Sequence, residues 1–192
     1  LVATHGRVTG PTLTAASELE VVFAIVGVGV LPETSLAGAA GIALENGIRT
    51  DEMGRASAPG VWAAGDCASF PQGDRQLRLE SVGNAIDMAE CVADNIMGAN
   101  SPYAAKPWFW SDQYDVKLQI AGLNAGYNRV VVRDGGAARS HWYYAGDQLL
   151  ALDAMNDPRA YMVGKRLIEA GKSPDPAIIA DPDADLKPLL KA

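Results

Sequence analysis

The stretch Val61–Asn84, VWAAGDCASFPQGDRQLRLESVGN, decides how the chain is read. A short apolar run, Val61–Ala64, reads as a strand that leads into Gly65-Asp66. The stretch closes on Glu80-Ser81-Val82, where a helix opens. Glycine lets backbone approach a ligand closely, and a carboxylate at the carboxyl end of a buried strand faces the crevice of an α/β sheet. Asp66 in that place can accept hydrogen bonds from sugar-like hydroxyls. Taken alone, it reads equally well as a turn residue or a helix N-cap.

Outward from this stretch the chain divides into three parts. The first, residues 1–31, holds hairpin-like material and then Leu19–Val30, an apolar β-branched run ending in glycines. Such a run predicts a fully buried strand, which needs neighbours on both edges. A chain opening at Leu1 rather than at Met reads as cut from something longer, so we expect residues 1–31 to be ordered only against a neighbour. In the second part, residues 32–106, SLAGAAGIALEN is helical in character, and turn signals stand at Met53-Gly54 and Pro59-Gly60. Asn84 is the expected N-cap of a helix, AIDMAECVADNIM. Its Ile86, Ala89, Val92, Ala93 and Ile96 share one face, and Gly98 ends it. The third part, residues 107–192, reads as antiparallel strands over 115–122, 128–133, 140–145 and 148–154, with a hairpin turn at Ala145-Gly146-Asp147. Asp157 then caps a helix with Pro158 at its first position, ending near Gly171. The tail is expected to be extended until a short last turn.

Composition bounds the function. The chain has 192 residues, 48% hydrophobic and 20% charged, which supports a sizeable core and argues against global disorder. A formal net charge of -7 disfavours nonspecific nucleic-acid binding, which rests on Lys and Arg neutralising phosphates. The longest apolar run, Val21–Leu31, is too short to span a bilayer as a helix, so no membrane role is expected. Cys67 and Cys91 form no Cys-x-x-Cys, and no metal-ligand spacing stands out. Buried free thiols in a reducing cytoplasm are the expectation. His5 and His141 are the only histidines, which leaves no Ser/His/Asp constellation in view.

The run Arg55–Ala68 together with Glu80-Ser81-Val82-Gly83-Asn84-Ala85 resembles the second flavin-binding segment of the FAD-dependent pyridine nucleotide reductases. Trp108-Phe109-Trp110-Ser111-Asp112-Gln113 is similar to a marker of their ferredoxin and rubredoxin reductase branch. The resemblance implies an α/β FAD/NAD(P)-binding portion with a Rossmann-like character, followed by an α+β interface domain with an antiparallel sheet and helices. On that basis residues 1–31 would end an NAD-binding domain, 32–106 would be the last segment of an FAD-binding domain, and 107–192 would be the interface domain. The cofactors implied are FAD and NAD(P)H, and the partner implied is a ferredoxin or rubredoxin. An interface domain also permits a homodimer.

The resemblance assigns roles by position. Gly65 and Asp66 would meet the FAD ribityl hydroxyls, and the Val82 amide would stand beside the isoalloxazine. Glu80 would contact the nicotinamide amide, with a structural carboxylate as the plain alternative. Trp110 would shield the ring toward the iron–sulfur partner, with core packing as its alternative. Gly27 and Gly29 would lie near the nicotinamide nucleotide, although Gly27-Val28-Gly29 is no full dinucleotide fingerprint and also reads as a tight turn. Gly83 departs from the family, which usually carries proline there, and a looser start to the helix is expected. Arg75 and Arg78 are the nearest basic residues for docking an acidic partner, or else belong to a solvated loop. No residue is assigned to covalent or acid–base catalysis, and the two glycine-rich βαβ fingerprints are missing from the sequence. The chain alone is therefore expected to be inactive. Two other readings stay open: an isolated dimerisation or partner-docking module, and part of another NAD(P)H:FAD oxidoreductase, such as an apoptosis-inducing-factor-like protein or a nitrite reductase subunit.

Overall fold

The computed structural model describes residues 1–14 and 17–191. Positions 15 and 16 of the first expected part, and 192 at the end of the third, lie outside the described residues. The chain forms two compact units, Leu1–Leu31 and Pro32–Ala192.

The first unit contains a hairpin of β1 (Val2–Thr4) and β2 (Arg7–Gly10). The buried strand expected at Leu19–Val30 does not form. Beyond two backbone bonds, Leu19 N to Pro11 O and Val21 N to Thr9 O, the run has no ladder, and its large side chains stand in solvent, Ile25 at 89% and Val28 at 88% exposure. The physical reason is the one that makes an apolar strand need partners: without paired edges its backbone gains nothing from being extended.

The second unit begins with α1 (Ser35–Ala39), a five-residue remnant of the helix suggested by SLAGAAGIALEN. A three-stranded sheet follows, in which β3 (Ile48–Arg49) runs parallel to β4 (Ala68–Gln72), and β4 pairs antiparallel with β5 (Arg75–Leu77). Val61–Ala64 is not a strand. It is tied instead into a local turn by Ala56 N to Val61 O at 2.9 Å and Ala63 N to Gly54 O at 3.1 Å. The strand starts only after a single 3-10 turn at Gly65–Cys67. Then α2 (Val82–Ile96) packs on this sheet through a core of Ala63, Ala68, Phe70, Met88 and Val92.

Five antiparallel strands build the rest: β6 (Trp108–Gln113), β7 (Val116–Gly122), β8 (Arg129–Gly135), β9 (Ala138–Ala145) and β10 (Gln148–Met155), in the order β6-β7-β10-β9-β8. On one face lies α3 (Pro158–Glu169), capped by Asp157 with Pro158 in its first turn, as the sequence led us to expect. The core here is Trp142, Tyr144, Leu152, Ala154, Val163 and Leu167. Close packing reaches the backbone: a methyl at Gly164 would fall 2.3 Å from Leu152 Cδ2. The tail is not simply extended, because Asp175 caps a short α4 (Pro176–Ala180) before the last 3-10 turn at Lys187–Leu190. Arg133 clamps this tail by donating to the carbonyls of Ile179, Asp181, Pro182 and Ala184. Mixed α/β structure with a five-stranded antiparallel sheet as its largest is thus the architecture, and none of its described helices is long and apolar enough to cross a membrane.

Candidate functional site

A cleft of about 560 Å³ opens where four segments meet. Its walls are Ala64-Gly65-Asp66, then Glu80-Ser81, then Val82, Ala85, Ile86 and Ala89 of α2, and Phe109 of β6. The volume lies within the range of about 300–1,000 Å³ usual for small-molecule sites.

The Gly65-Asp66 wall comes close to the helix because residue 65 is glycine. Gly65 has φ +73° and is buried, and a methyl there would stand 3.4 Å from Ala85 Cβ. An L side chain at this φ would be strained as well as crowded. Asp66 follows in the 3-10 turn with its side chain exposed to the cleft.

The helix wall is held by its own sequence. Ser81, in extended conformation, is the N-cap, and its Oγ accepts from Asn84 N at 3.2 Å. Asn84 is therefore not the expected cap but the third residue of the helix. It is buried, donates to Leu79 O at 3.2 Å and accepts from Tyr103 Oη at 2.9 Å. Burial pushes the Tyr103 hydroxyl up to about 12, helped by the Asp87 charge, so it remains a donor to Asn84. At the far end Asn95 donates to Met53 O and Ser101 O and accepts from Ser101 N. The buried face of α2 is thus Asn84, Met88, Val92 and Asn95. Of the expected apolar face only Val92 is buried: Ile86 and Ala89 line the cleft, and Ile86 and Ile96 are more than half exposed. Two polar anchors, Asn84 and Asn95, outweigh the apolar stripe because a buried amide must find partners.

Electrostatics follow from this orientation. The Val82 and Gly83 amides belong to the first turn and have no acceptor within the helix. They give the cleft a wall of partial positive charge opposite the Asp66 carboxylate. Gly83 is not a loose start to the helix. The Trp108 indole packs on it so closely that a methyl would fall 2.3 Å from Nε1.

Of the expected site residues, the structure brings Gly65, Asp66, Glu80 and Val82 into one cleft. Trp110 is not in its wall. Trp110 stacks on Trp108 with ring centroids 5.5 Å apart and is 39% exposed, while Phe109, between them on β6, lines the cleft. Phe109 was missed because Trp108–Gln113 was not read as a strand. Alternation along a strand sets residue 109 on the face opposite 108 and 110. Gly27 and Gly29 lie in the first unit, and neither has a neighbour within 4 Å of a would-be side chain. Arg78 is not a free docking charge: its side chain is 10% exposed and paired with Glu80. Arg75, on the short hairpin strand β5, is exposed. The two thiols are free and half-buried, and burial pushes the Cys91 thiol up.

The fold agrees with comparisons to known proteins. Residues 2–89 match the family model described as pyridine nucleotide-disulphide oxidoreductase, and residues 108–190 match the one described as reductase C-terminal. A ferredoxin–NAD(P)+ reductase of Sphingomonas sp is 42% identical over 99% of this chain and 47% of its own length. The crystal structure of a ferredoxin reductase from Rhodopseudomonas palustris superposes with a TM-score of 0.89 at 39% identity, over 97% of this chain and 47% of that one. That of a covalent putidaredoxin reductase–putidaredoxin complex gives 0.85 at 36% identity, over 93% and 44%. The chain spans about half the length of the curated relatives it matches. Two family models, pyridine nucleotide-disulphide oxidoreductase and then reductase C-terminal, between them match nearly all of the chain.

Proposed function

We propose that the chain is the carboxyl-terminal part of a cytoplasmic FAD-dependent ferredoxin reductase, which takes electrons from NAD(P)H and passes them to a ferredoxin or rubredoxin. The observation that carries this reading is the convergence of a carboxylate, unspent helix amides and an aromatic ring on one cleft. The residues fit a flavin. Small side chains at Ala64, Ala85 and Ala89 leave room for a flat ring, and Gly65 admits it close to the backbone.

FAD, when bound, supplies the conversion of a two-electron hydride into single electrons. The chain's own residues bind and shield it. Asp66 accepts hydrogen bonds from hydroxyls of the cofactor. The Val82 amide and the positive end of α2 favour negative charge on a bound ring, by about 0.3–1 kcal/mol where the site is open to solvent. Phe109 excludes water from one side. Glu80 orients a nicotinamide amide, Gly27 and Gly29 border the nicotinamide nucleotide, and Trp110 faces the iron–sulfur partner. In domain terms, residues 1–31 end the NAD-binding domain, 32–106 end the FAD-binding domain, and 107–192 form the interface domain. The two separate buried clusters, one over 63–92 and one over 121–186, support the second boundary.

The test is the FAD affinity of the full-length protein. Wild type should purify with a flavin absorbance band, and Asp66→Ala should weaken FAD about tenfold, the lower end for a charge-assisted hydrogen bond at an exposed carboxylate. Unchanged affinity in Asp66→Ala would remove this cleft from the flavin site.

A further inference from the structure

Arg78 is a tightly committed charge near the cleft, although the sequence suggested it only for docking an acidic partner or for a solvated loop. Arginine is seldom buried unless paired, and here its side chain is 10% exposed. Three segments meet on its guanidinium. Nη1 donates to the Glu80 carboxylate and, at 3.1 Å, to the Asp66 carbonyl, while Nε donates to Asn46 Oδ1 at 3.4 Å. The path of its stem is also prepared. Gly47, at φ +132°, lies under it, where a methyl would stand 3.0 Å from Arg78 Cδ and 2.7 Å from Cys67 O.

We propose that Arg78 is the positioning residue of the cleft: it fixes the Asp66 turn relative to Glu80 and neutralises the Glu80 carboxylate, so that a bound cofactor meets one uncompensated negative charge instead of two. This rests on the flavin reading above. The planar fork explains the residue type. One guanidinium reaches three acceptors on different segments, whereas an ammonium is a point charge on a flexible stem. Without Arg78, Glu80 would stand beside Asp66 as a second free carboxylate, against a cofactor that carries phosphates and gains negative charge on reduction. At Glu80's 36% exposure that repulsion is partly screened, so effects near the low end are expected.

The experiment titrates the full-length apoprotein with FAD, without nicotinamide nucleotide, for wild type, Arg78→Gln, Arg78→Lys, Glu80→Gln and the double variant Arg78→Gln/Glu80→Gln. The flavin midpoint potential is measured on each loaded form. Arg78→Gln should weaken FAD about tenfold and lower the potential. Glu80→Gln should raise the potential, and the double variant should return affinity to within about threefold of wild type, because the orphaned carboxylate is gone. Arg78→Lys should keep the potential near wild type yet lose part of the affinity, since charge survives and the fork does not. A double variant as weak as Arg78→Gln, with potentials unmoved, would make Arg78 a packing residue only. If Arg78→Gln does not fold, Glu80→Gln and Arg78→Lys decide, and a potential unchanged in Glu80→Gln would overturn the proposal. Asp66→Ala in the same series separates the two claims: affinity lost there but kept in Arg78→Gln refutes the role of Arg78, while affinity kept in Asp66→Ala refutes the cleft itself.

Discussion

Gly83 and Asp66 show how much a single position carries. A methyl at Gly83 would collide with the Trp108 indole, which joins the start of α2 to the first strand of the large sheet. Gly83→Ala should therefore destabilise the chain by about 1–3 kcal/mol, the usual cost of overpacking. A calorimetric melt should show a Tm lower by several degrees, and an unchanged Tm would mean that Trp108 moves aside freely. The sequence made Gly65-Asp66 a candidate through the resemblance of the run Arg55–Ala68, since taken alone Asp66 also reads as a turn residue or an N-cap. It could not reveal what a side chain at residue 83 would meet, since the Trp108 ring lies 25 positions away and only the fold displays its packing.

At the scale of elements, α3 was legible to within a residue or two because its signals are local. Asp157 caps, Pro158 fits the first turn, and Gly171 takes φ +65° just after the end. The start of α2 was misread by three residues, because both Ser81 and Asn84 are good caps and only burial decides between them. Asn84 is needed inside, between Leu79 O and Tyr103 Oη, which leaves the cap to Ser81. Ser81→Ala should cost about 1 kcal/mol of stability. It should also speed hydrogen exchange at the Asn84 amide, which loses its Ser81 Oγ acceptor. Exchange unchanged at that amide would contradict the capping geometry. The first strand of the large sheet escaped notice for a different reason. Trp108-Phe109-Trp110 is apolar without alternation, and such a run gives no period to read.

Over the whole molecule, the run Leu19–Val30 is where sequence and structure part. Its composition asks for a strand, yet the paired edges a strand requires are not supplied by the described residues. The large sheet with α3 is the opposite case. Its core closes on itself through Trp142, Tyr144, Leu152 and Leu167, so residues 107–192 expressed alone should unfold cooperatively. A broad, non-cooperative melt of that piece would tie its folding to α2.

Tyrosines also make the whole chain sensitive to alkali. Burial pushes the hydroxyls of Tyr103 and Tyr144 up to about 12 in the folded state, from an ordinary value of 10.0. Between those values the unfolded chain releases protons that the folded chain keeps. Stability is then full below about pH 10 and falls as pH rises through 12. The fully buried Tyr144 contributes about 3 kcal/mol of that loss. Chemical unfolding followed from pH 8 to 12, about the span in which tyrosines titrate, should show this decline. Tyr144→Phe should flatten it, and a slope unchanged in that variant would assign the loss elsewhere.

The cleft and the reductase domain together point to one activity, and one measurement bears on it most directly. NAD(P)H is added without oxygen to the full-length protein with excess ferredoxin, and the visible spectra of flavin and iron–sulfur centre are followed. The account predicts that the flavin band bleaches and that two ferredoxins are reduced per NAD(P)H, as electron counting requires when a hydride is divided into single electrons. A protein that purifies without flavin, or one whose flavin bleaches while ferredoxin stays oxidised, would contradict it.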